Sequence, residues 1–219
     1  MNAPETIIGI VLAGGRSRRM GGGDKCLLPL AGRPLLAHVI ERLKPQFSEL
    51  IVNANGDPAR FSGFGLPVVA DRLGDHAGPL AGIQSGLEWT RANRPKCRYV
   101  TTAASDTPFL PADLVSRCRA AIDEDNPQLV VARTEDGLHP TFGLWPVSLA
   151  SHLAESIRAG DRKVSDWVRS RRAKEVMFQA IEAANRKIDP FFNINRLTIW
   201  MRPKRFSRQA SPDREQAPP

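Results

Sequence analysis

Residues 7–25 read IIGIVLAGGRSRRMGGGDK, a β-branched apolar run that leads into a loop rich in glycine and arginine. The run predicts a buried strand over Ile7–Leu12. Glycine lets a backbone turn with positive φ and lets its N–H groups approach a ligand, and arginine and lysine add positive charge. The stretch therefore predicts a strand followed by an anion-binding loop. The loop matches neither the Walker A pattern, since Lys25 lies between Asp24 and Cys26, nor G-x-G-x-x-G.

Strand and helix patterns alternate along the rest of the chain. Four further apolar runs predict strands, and they read ELIVNAN, LPVVAD, RYVTTAA and QLVVAR. Helices are predicted from Pro34 to Pro45, from Pro79 onward and from Pro111 onward, because proline favours the first helical turn. The alternation predicts a single doubly wound α/β fold with a mostly parallel sheet and helices on both faces.

Polar residues follow the predicted strands at their carboxyl ends, where sheets of this kind bind ligands. The glycine-rich loop follows the first strand, and Asn53, Asp71 and Asp106 follow the next three. We expect these groups to meet at one rim of the sheet. Each also has a purely structural interpretation, because asparagine and aspartate are common in turns and at helix N-termini.

Composition and charge exclude several classes of protein. The net charge of the 219-residue chain is +8, but part of it lies in residues 201–219, a basic tail rich in Pro, Ser and Gln that we expect to be disordered. No stacking aromatics interleave with the basic segments, so a nucleic-acid partner is not expected. No apolar run approaches the roughly 20 residues of a membrane span. Three cysteines without C-x-x-C spacing and an N-terminus without a secretory signal predict a cytoplasmic protein.

The motif LAGGRSRRMGGGDK resembles the signature of nucleotidyltransferases that join a nucleoside triphosphate to a phosphorylated acceptor. In detail the chain is most similar to the molybdenum cofactor guanylyltransferases, the MobA family. The similarity runs from about residue 6 to 196 and includes VNAN, VVAD, GPLAGIQSGL, SDTPFLPADL, HPTFGLW and FFNIN. It implies a nucleotidyltransferase domain over 1–200, with a nucleotide-binding half at about 6–110 and an acceptor half at about 111–200.

The resemblance also implies a reaction and the residues that carry it. GTP and molybdopterin would be the substrates, Mg²⁺ the cofactor, and molybdoenzymes the partners that receive the product. The residues that would contact GTP are Leu12, Ala13, Gly14, Gly15, Lys25, Asn53 and Asp71. The catalytic residues would be Arg19, Lys25 and Asp106, with Asp106 as the metal ligand. The residues that would face the pterin or complete the metal environment are Asn193 and Asn195.

Elementary chemistry agrees with such a reaction. Attack of one phosphate on another brings like charges together, so catalysis needs positioning and charge neutralisation rather than a protein nucleophile. The basic segment 158–174 is either a solvated helix face or an electropositive wall for the pterin phosphate. In the second case the resemblance implies that Arg162 and Lys163 correspond to a basic pair of the family. The chain departs from the family after FFNIN, where RLTIWMRPKRF replaces a helix start of the Thr-Pro-Glu-Asp type. Two alternatives remain open, a cytidylyltransferase acting on the same or another phosphorylated acceptor and a non-catalytic cofactor carrier.

Overall fold

The computed structural model of the chain describes residues 7–14, 24–73, 78–123, 128–183 and 186–194. The predictions for Gly15, Arg19 and Asn195, and for the basic tail, lie outside these ranges. The strands are β1 (Ile7–Leu12), β2 (Pro29–Leu30), β3 (Arg33–Pro34), β4 (Glu49–Asn53), β5 (Val68–Val69), β6 (Tyr99–Ala104), β7 (Val130–Thr134), β8 (Gly137–Pro146), β9 (Lys174–Met177), β10 (Ile181–Ala183) and β11 (Arg186–Ile188). The helices are α1 (Leu35–Leu43), α2 (Pro79–Asn93), α3 (Leu114–Ala120), α4 (Ala150–Arg158) and α5 (Val164–Ser170).

Seven of these strands form the central sheet, in the order β5-β4-β1-β6-β8-β7-β9. Strand β1 pairs in parallel with β4 and β6, and the parallel pairs β4–β5 and β7–β9 complete the two edges. Strand β8 runs antiparallel to both of its neighbours, β6 and β7. The prediction of a doubly wound, mostly parallel α/β sheet is confirmed.

The antiparallel strand β8 was not predicted. Thr134 pairs with Gly137 across a two-residue turn, so the chain reverses there instead of entering a crossover helix. Strand β8 therefore inserts between β6 and β7, and the predicted strand QLVVAR becomes the neighbour of β8 rather than of β6. The insertion brings the segment HPTFGLW next to β6, the strand that leads to Asp106.

The central strand β1 is buried on both faces, as expected for a parallel strand covered by helices. Ile7 and Val11 join one apolar cluster, which includes residues of α1 and α3. Ile8 and Ile10 join a second cluster, which includes residues of α2, α4 and α5. This division places the two groups of helices on opposite faces of the sheet and leaves the carboxyl ends of the strands as its open rim.

Several predicted boundaries differ from those of the structure. Helix α1 begins at Leu35, because Pro34 has extended angles (φ −54°, ψ 143°) and pairs with Pro29. Helix α3 begins at Leu114 rather than Pro111, whose carbonyl accepts the Leu114 N–H in a turn. Of LPVVAD only β5 pairs with the sheet, whereas α2 begins at the predicted proline. Within the described ranges, no helix has both the length and the apolar character needed to cross a bilayer.

Candidate active site

A cleft of about 310 Å³ opens at the carboxyl ends of β1, β4, β5 and β6. It brings together most of the residues that the sequence singled out. Those that line it are Leu12, Ala13, Gly14, Lys25, Asn53, Asp71, Asp106 and Asn193. The lining residues that sequence reasoning did not single out include Cys26, Asn55, Gly78, Pro79, Ser105 and Thr141.

Backbone hydrogen bonds continue the sheet just past the strands and hold this rim together. The N–H of Ala13 donates to the carbonyl of Asn53 at 2.8 Å, and the N–H of Ser105 donates to the carbonyl of Leu12 at 3.2 Å. The N–H of Ala54 donates to the carbonyl of Val69 at 3.0 Å. The side chains that follow each strand are therefore carried to one edge in register.

On one side of the cleft, Lys25, Asp106 and Asn193 form what we call the phosphate-side cluster. The ammonium Nζ of Lys25 lies 2.7 Å from Oδ2 of Asp106 and also donates to Oδ1 of Asn193. The Lys25 and Asp106 side chains are each only 17% exposed, so this charge pair is well shielded from water. The N–H of Ile194 donates to the backbone carbonyl of Asp106 at 3.0 Å, which fastens the segment that carries Asn193.

The helix-cap interpretation of Asp106 is wrong. Helix α3 begins at Leu114, and the residue that precedes it is Asp113, whose side chain makes no capping bond. The carboxylate of Asp106 instead contacts Lys25 inside the cleft. Its position after β6 therefore places a charged group at the site rather than completing a helix.

On the other side of the cleft, Asn53, Asn55 and Asp71 form what we call the amide–carboxylate wall. The amide nitrogen of Asn53 donates to Oδ1 of Asp71 at 2.8 Å and to the carbonyl of Val69 at 3.1 Å. The amide of Asn55 donates to Oδ2 of Asp71 at 2.8 Å and accepts the Asp71 N–H at 2.8 Å. The partners fix both amide orientations, since a carboxylate and a carbonyl only accept and a backbone N–H only donates.

A glycine on α2 makes room for this wall. Asn53 is only 2% exposed, and its Oδ1 lies against Gly82. A Cβ at position 82 would lie 2.2 Å from that oxygen, closer than any side chain allows. The close approach of helix and amide therefore requires glycine at this position.

The thiol of Cys26 lines the cleft but is not suited to act as a nucleophile. Burial, together with the nearby negative charge of Asp24, raises the pKa of Cys26 to about 11, so the thiol stays protonated at neutral pH. Cys26, Cys97 and Cys118 are all buried thiols. This chemistry agrees with a reaction that needs no covalent attack by the protein.

A polar cluster anchors the segment that carries Asn193. Oδ2 of Asp189 accepts the hydroxyl of Thr134 at 2.9 Å and lies 3.1 Å from Nε2 of His139, and Oδ1 accepts the Phe191 N–H at 2.7 Å. The ring of Phe191 packs on His139 and on Phe142. Burial lowers the pKa of His139 below its ordinary value, although Asp189 opposes the shift. The cluster ties the 189–194 segment to β7 and β8.

Arg162, a residue of the predicted electropositive wall, is held at the end of α4. Its guanidinium donates to the carbonyls of Ile157 at 2.8 Å and Asp161 at 2.7 Å, where it caps the end of α4. Arg162 and Lys163, which are both described, do not line the cleft, although the Arg162 carbonyl would lie 3.7 Å from a Cβ on the cleft residue Gly78. A role of this pair toward the pterin phosphate stays a prediction.

Two of the unpredicted lining residues, Asn55 and Thr141, were missed for identifiable reasons. Asn55 precedes Gly56, and Asn-Gly is typical of a turn; Gly56 does have a positive φ of 86°, but the Asn55 side chain faces Asp71. Thr141 lies in β8, the strand that hydrophobic periodicity did not predict.

Within the described residues, no group of three or more His, Cys, Asp or Glu side chains converges on one point.

Comparisons with known proteins agree on one family. A model of the MobA-like NTP transferase domain matches residues 9–176. A molybdenum cofactor guanylyltransferase from Mesorhizobium japonicum is 51% identical over 190 residues, 86% of this chain and 90% of the relative. A protein of the same name from Nitrobacter hamburgensis is 47% identical over 188 residues, 85% of this chain and 88% of the relative.

A solved structure shares the fold. The crystal structure of molybdopterin-guanine dinucleotide biosynthesis protein A from Archaeoglobus fulgidus has a TM-score of 0.58 and 22% identity, over 78% of this chain and 83% of that one. Of the described cleft residues, Asn193 alone lies outside the stretch matched by the domain model.

Proposed function

Because this chain belongs to the MobA-like NTP transferase family and is a nucleotidyltransferase, we propose that it transfers GMP from GTP to molybdopterin-type molybdenum cofactor. The observation that supports this most directly is the meeting of the phosphate-side cluster and the amide–carboxylate wall in one cleft. Such a cleft offers a cation for a triphosphate and a carboxylate for its metal ion on one side, and hydrogen-bonding groups for a base on the other. The names of the relatives supply the substrates, which this chain would share.

In the proposed reaction, an oxygen of the acceptor phosphate forms a bond to the α-phosphorus of GTP. The bond from that phosphorus to the bridging oxygen breaks, and pyrophosphate leaves with the electron pair. Lys25 would counter the negative charge of the phosphates, which is the main requirement of a reaction between two anions. Arg19 would add a second positive charge, as the family resemblance implies.

We propose that a divalent cation, Mg²⁺ in the first instance, is held by Asp106 with the help of Asn193. The oxygens of these two side chains already lie around one cation, the ammonium of Lys25. Carboxylate and amide oxygens are hard donors, and Mg²⁺ in proteins is commonly held by one or two carboxylates together with phosphate oxygens. When bound, the ion would neutralise charge on the triphosphate and polarise its α-phosphate.

The amide–carboxylate wall supports GTP over CTP as the nucleotide. Asn53 commits its amide hydrogens to Val69 and Asp71, and its Oδ1 packs against Gly82, so the acceptor that this pair offers a ligand is the carboxylate of Asp71. Guanine presents two adjacent donors, N1–H and the 2-amino group, whereas cytosine presents the acceptor N3 beside its amino group. An acceptor of the ligand facing an acceptor of the wall would leave both unpaired, which disfavours cytosine.

The proposed division of the domain follows the cleft. The nucleotide half, at about 6–110, would supply the residues from Leu12 to Asp106, and the acceptor half, at about 111–200, would supply Thr141 and Asn193. We further propose that the enzyme works in the cytoplasm and delivers its product to molybdoenzymes. The chain's three cysteines, without C-x-x-C spacing, suit such a reducing compartment.

The test is a transfer assay with each of the four α-³²P-labelled nucleoside triphosphates and molybdopterin, with and without Mg²⁺. We expect label to enter the pterin product from GTP alone and only with the metal, and γ-labelled GTP to release its label as pyrophosphate. Equal or preferred use of CTP would identify a cytidylyltransferase instead. Binding of the pterin without any transfer of label would identify a carrier.

A further inference from the structure

We propose that Arg60 is a positioning residue that ties the Lys25 end of the glycine-rich loop to the amide–carboxylate wall. Its guanidinium joins two chain segments. Nε lies 2.6 Å from Oδ2 of Asp24, the residue before Lys25, and Nη2 donates to the backbone carbonyl of Asn55. Arg60 itself does not line the cleft, so it acts through these neighbours.

Each end of this bridge leads directly to a side of the cleft. The carbonyl of Asp24 accepts the Leu27 N–H at 3.0 Å and so begins the tight turn at Lys25–Leu27 that presents Lys25 to Asp106. At the other end, Asn55 holds Asp71 through two hydrogen bonds. A shift of Arg60 would therefore loosen the phosphate-side cluster and the wall together.

The local structure holds Arg60 in place for this role. Arg60 lies in the 3-10 segment Pro58–Phe64, which starts where the carboxylate of Asp57 accepts the Ala59 N–H at 2.9 Å. Its guanidinium lies 4.9 Å from the ring centroid of the buried Phe61. A Cβ on Gly56 would lie 2.9 Å from Nη1, so glycine there keeps the path of the guanidinium clear.

Arginine has the geometry that the bridge needs. The planar guanidinium directs N–H groups to acceptors on different sides, whereas a lysine ammonium is a single point charge. The side chains of Arg60 and Asp24 are 31% and 22% exposed, so solvent screens the pair only in part. We expect the contribution of the bridge to appear in ligand binding rather than in overall stability.

The inference rests on the proposed function because GTP is the probe. The experiment measures GTP binding by calorimetry with Mg²⁺ and without acceptor, and thermal unfolding, for Arg60→Gln, Asp24→Asn and the double variant. We expect each single change to weaken binding about fivefold with little change in unfolding temperature, since one partly exposed charged contact is lost. The double variant should bind GTP no more weakly than the single variant with the lower affinity, because both single changes remove the same bridge. Arg60→Lys should recover part of the loss.

Arg94→Gln is the matched control. It breaks the pair in which Nε and Nη2 of Arg94 lie 2.8 and 2.9 Å from the carboxylate of Glu49, at the end of β4 remote from the cleft. We expect its GTP affinity to stay within about twofold of the wild type, as for surface pairs away from a site.

Three results would overturn the inference. One is Arg60→Gln binding GTP as tightly as the wild type. Another is Asp24→Asn binding GTP more tightly, because Asp24 would then oppose the phosphates by its charge rather than support their binding through the bridge. The third is wild-type protein that binds no GTP, which would overturn the proposed function as well.

Discussion

The two sides of the cleft are built in different ways. In the amide–carboxylate wall, neutral amides from one stretch of chain hold a single carboxylate, across separations of 16 and 18 residues. In the phosphate-side cluster, a partly buried ammonium joins a carboxylate and an amide across separations of 81 and 168 residues. The wall is complete without a ligand, whereas the cluster holds charges that a triphosphate and a metal would share.

This difference predicts different kinetic behaviour. A wall that is already hydrogen-bonded contributes equally to ground state and transition state, so its loss should appear mainly in KM. Loss of a cluster that stabilises charge developing on the phosphates should mainly lower kcat. Substitutions on the two sides of the cleft can test this difference between KM and kcat.

The largest effect is expected from Asp106→Ala in the phosphate-side cluster. It removes the proposed metal ligand and leaves Lys25 without its carboxylate, so kcat for GMP transfer should fall by about 10³-fold, the scale seen when one preorganised charge contact is lost. The measurement is steady-state label transfer from α-³²P GTP.

Asp113→Ala is the matched control for this change, because Asp113 is an exposed acid that precedes α3 and makes no capping bond. It should leave kcat unchanged. Turnover retained by Asp106→Ala within a few-fold would contradict the assignment of the cluster and would favour a carrier.

A smaller effect is expected from Gly82→Ala beside the amide–carboxylate wall. The new methyl group would displace the Asn53 amide, so KM for GTP should rise by about tenfold, roughly the loss of one hydrogen bond to the base, with kcat little changed. Overpacking should also cost about 1–3 kcal/mol of unfolding free energy.

Gly86→Ala separates the two consequences. It lies one turn further along α2, where a Cβ would lie 2.2 Å from Cδ1 of Ile10, an apolar neighbour outside the cleft. We expect a similar loss of stability and an unchanged KM. Equal KM values for the two variants would show that the Gly82 effect comes from the helix and not from the wall.

The smallest effect concerns the anchor of the phosphate-side cluster at His139. Burial lowers the pKa of His139, so the unfolded chain binds a proton that the folded chain does not, and stability falls as pH drops below about 6.5. His139→Gln should remove this part of the acid sensitivity. The measurement is the free energy of unfolding in urea at pH 7.5 and pH 5.5.

His152→Gln is the control, because His152 is exposed on α4. It should lose as much stability as the wild type over the same pH range. The same pH dependence in wild type and His139→Gln would contradict a role for burial at this site.

Much of the cleft could be predicted from local pattern. Asn53, Asp71 and Asp106 each follow an apolar run, and the carboxyl ends of parallel strands meet at one edge, so strand order alone brings them together. The roles of Asn55 and Arg60 could not be predicted in this way. Asn-Gly is typical of a turn whether or not its amide also holds a carboxylate, and an arginine in a loop carries no periodic signal.

Residues close in sequence determined the fold class, the strand that leads to the glycine-rich loop and the polar groups at the strand ends, because hydrophobic periodicity and turn chemistry are local properties. Only the tertiary structure decided that β8 inserts between β6 and β7 and that Asn193, from far along the chain, joins Lys25 and Asp106. Those outcomes depend on which distant surfaces pack together once the whole chain has folded. No local pattern contains that information.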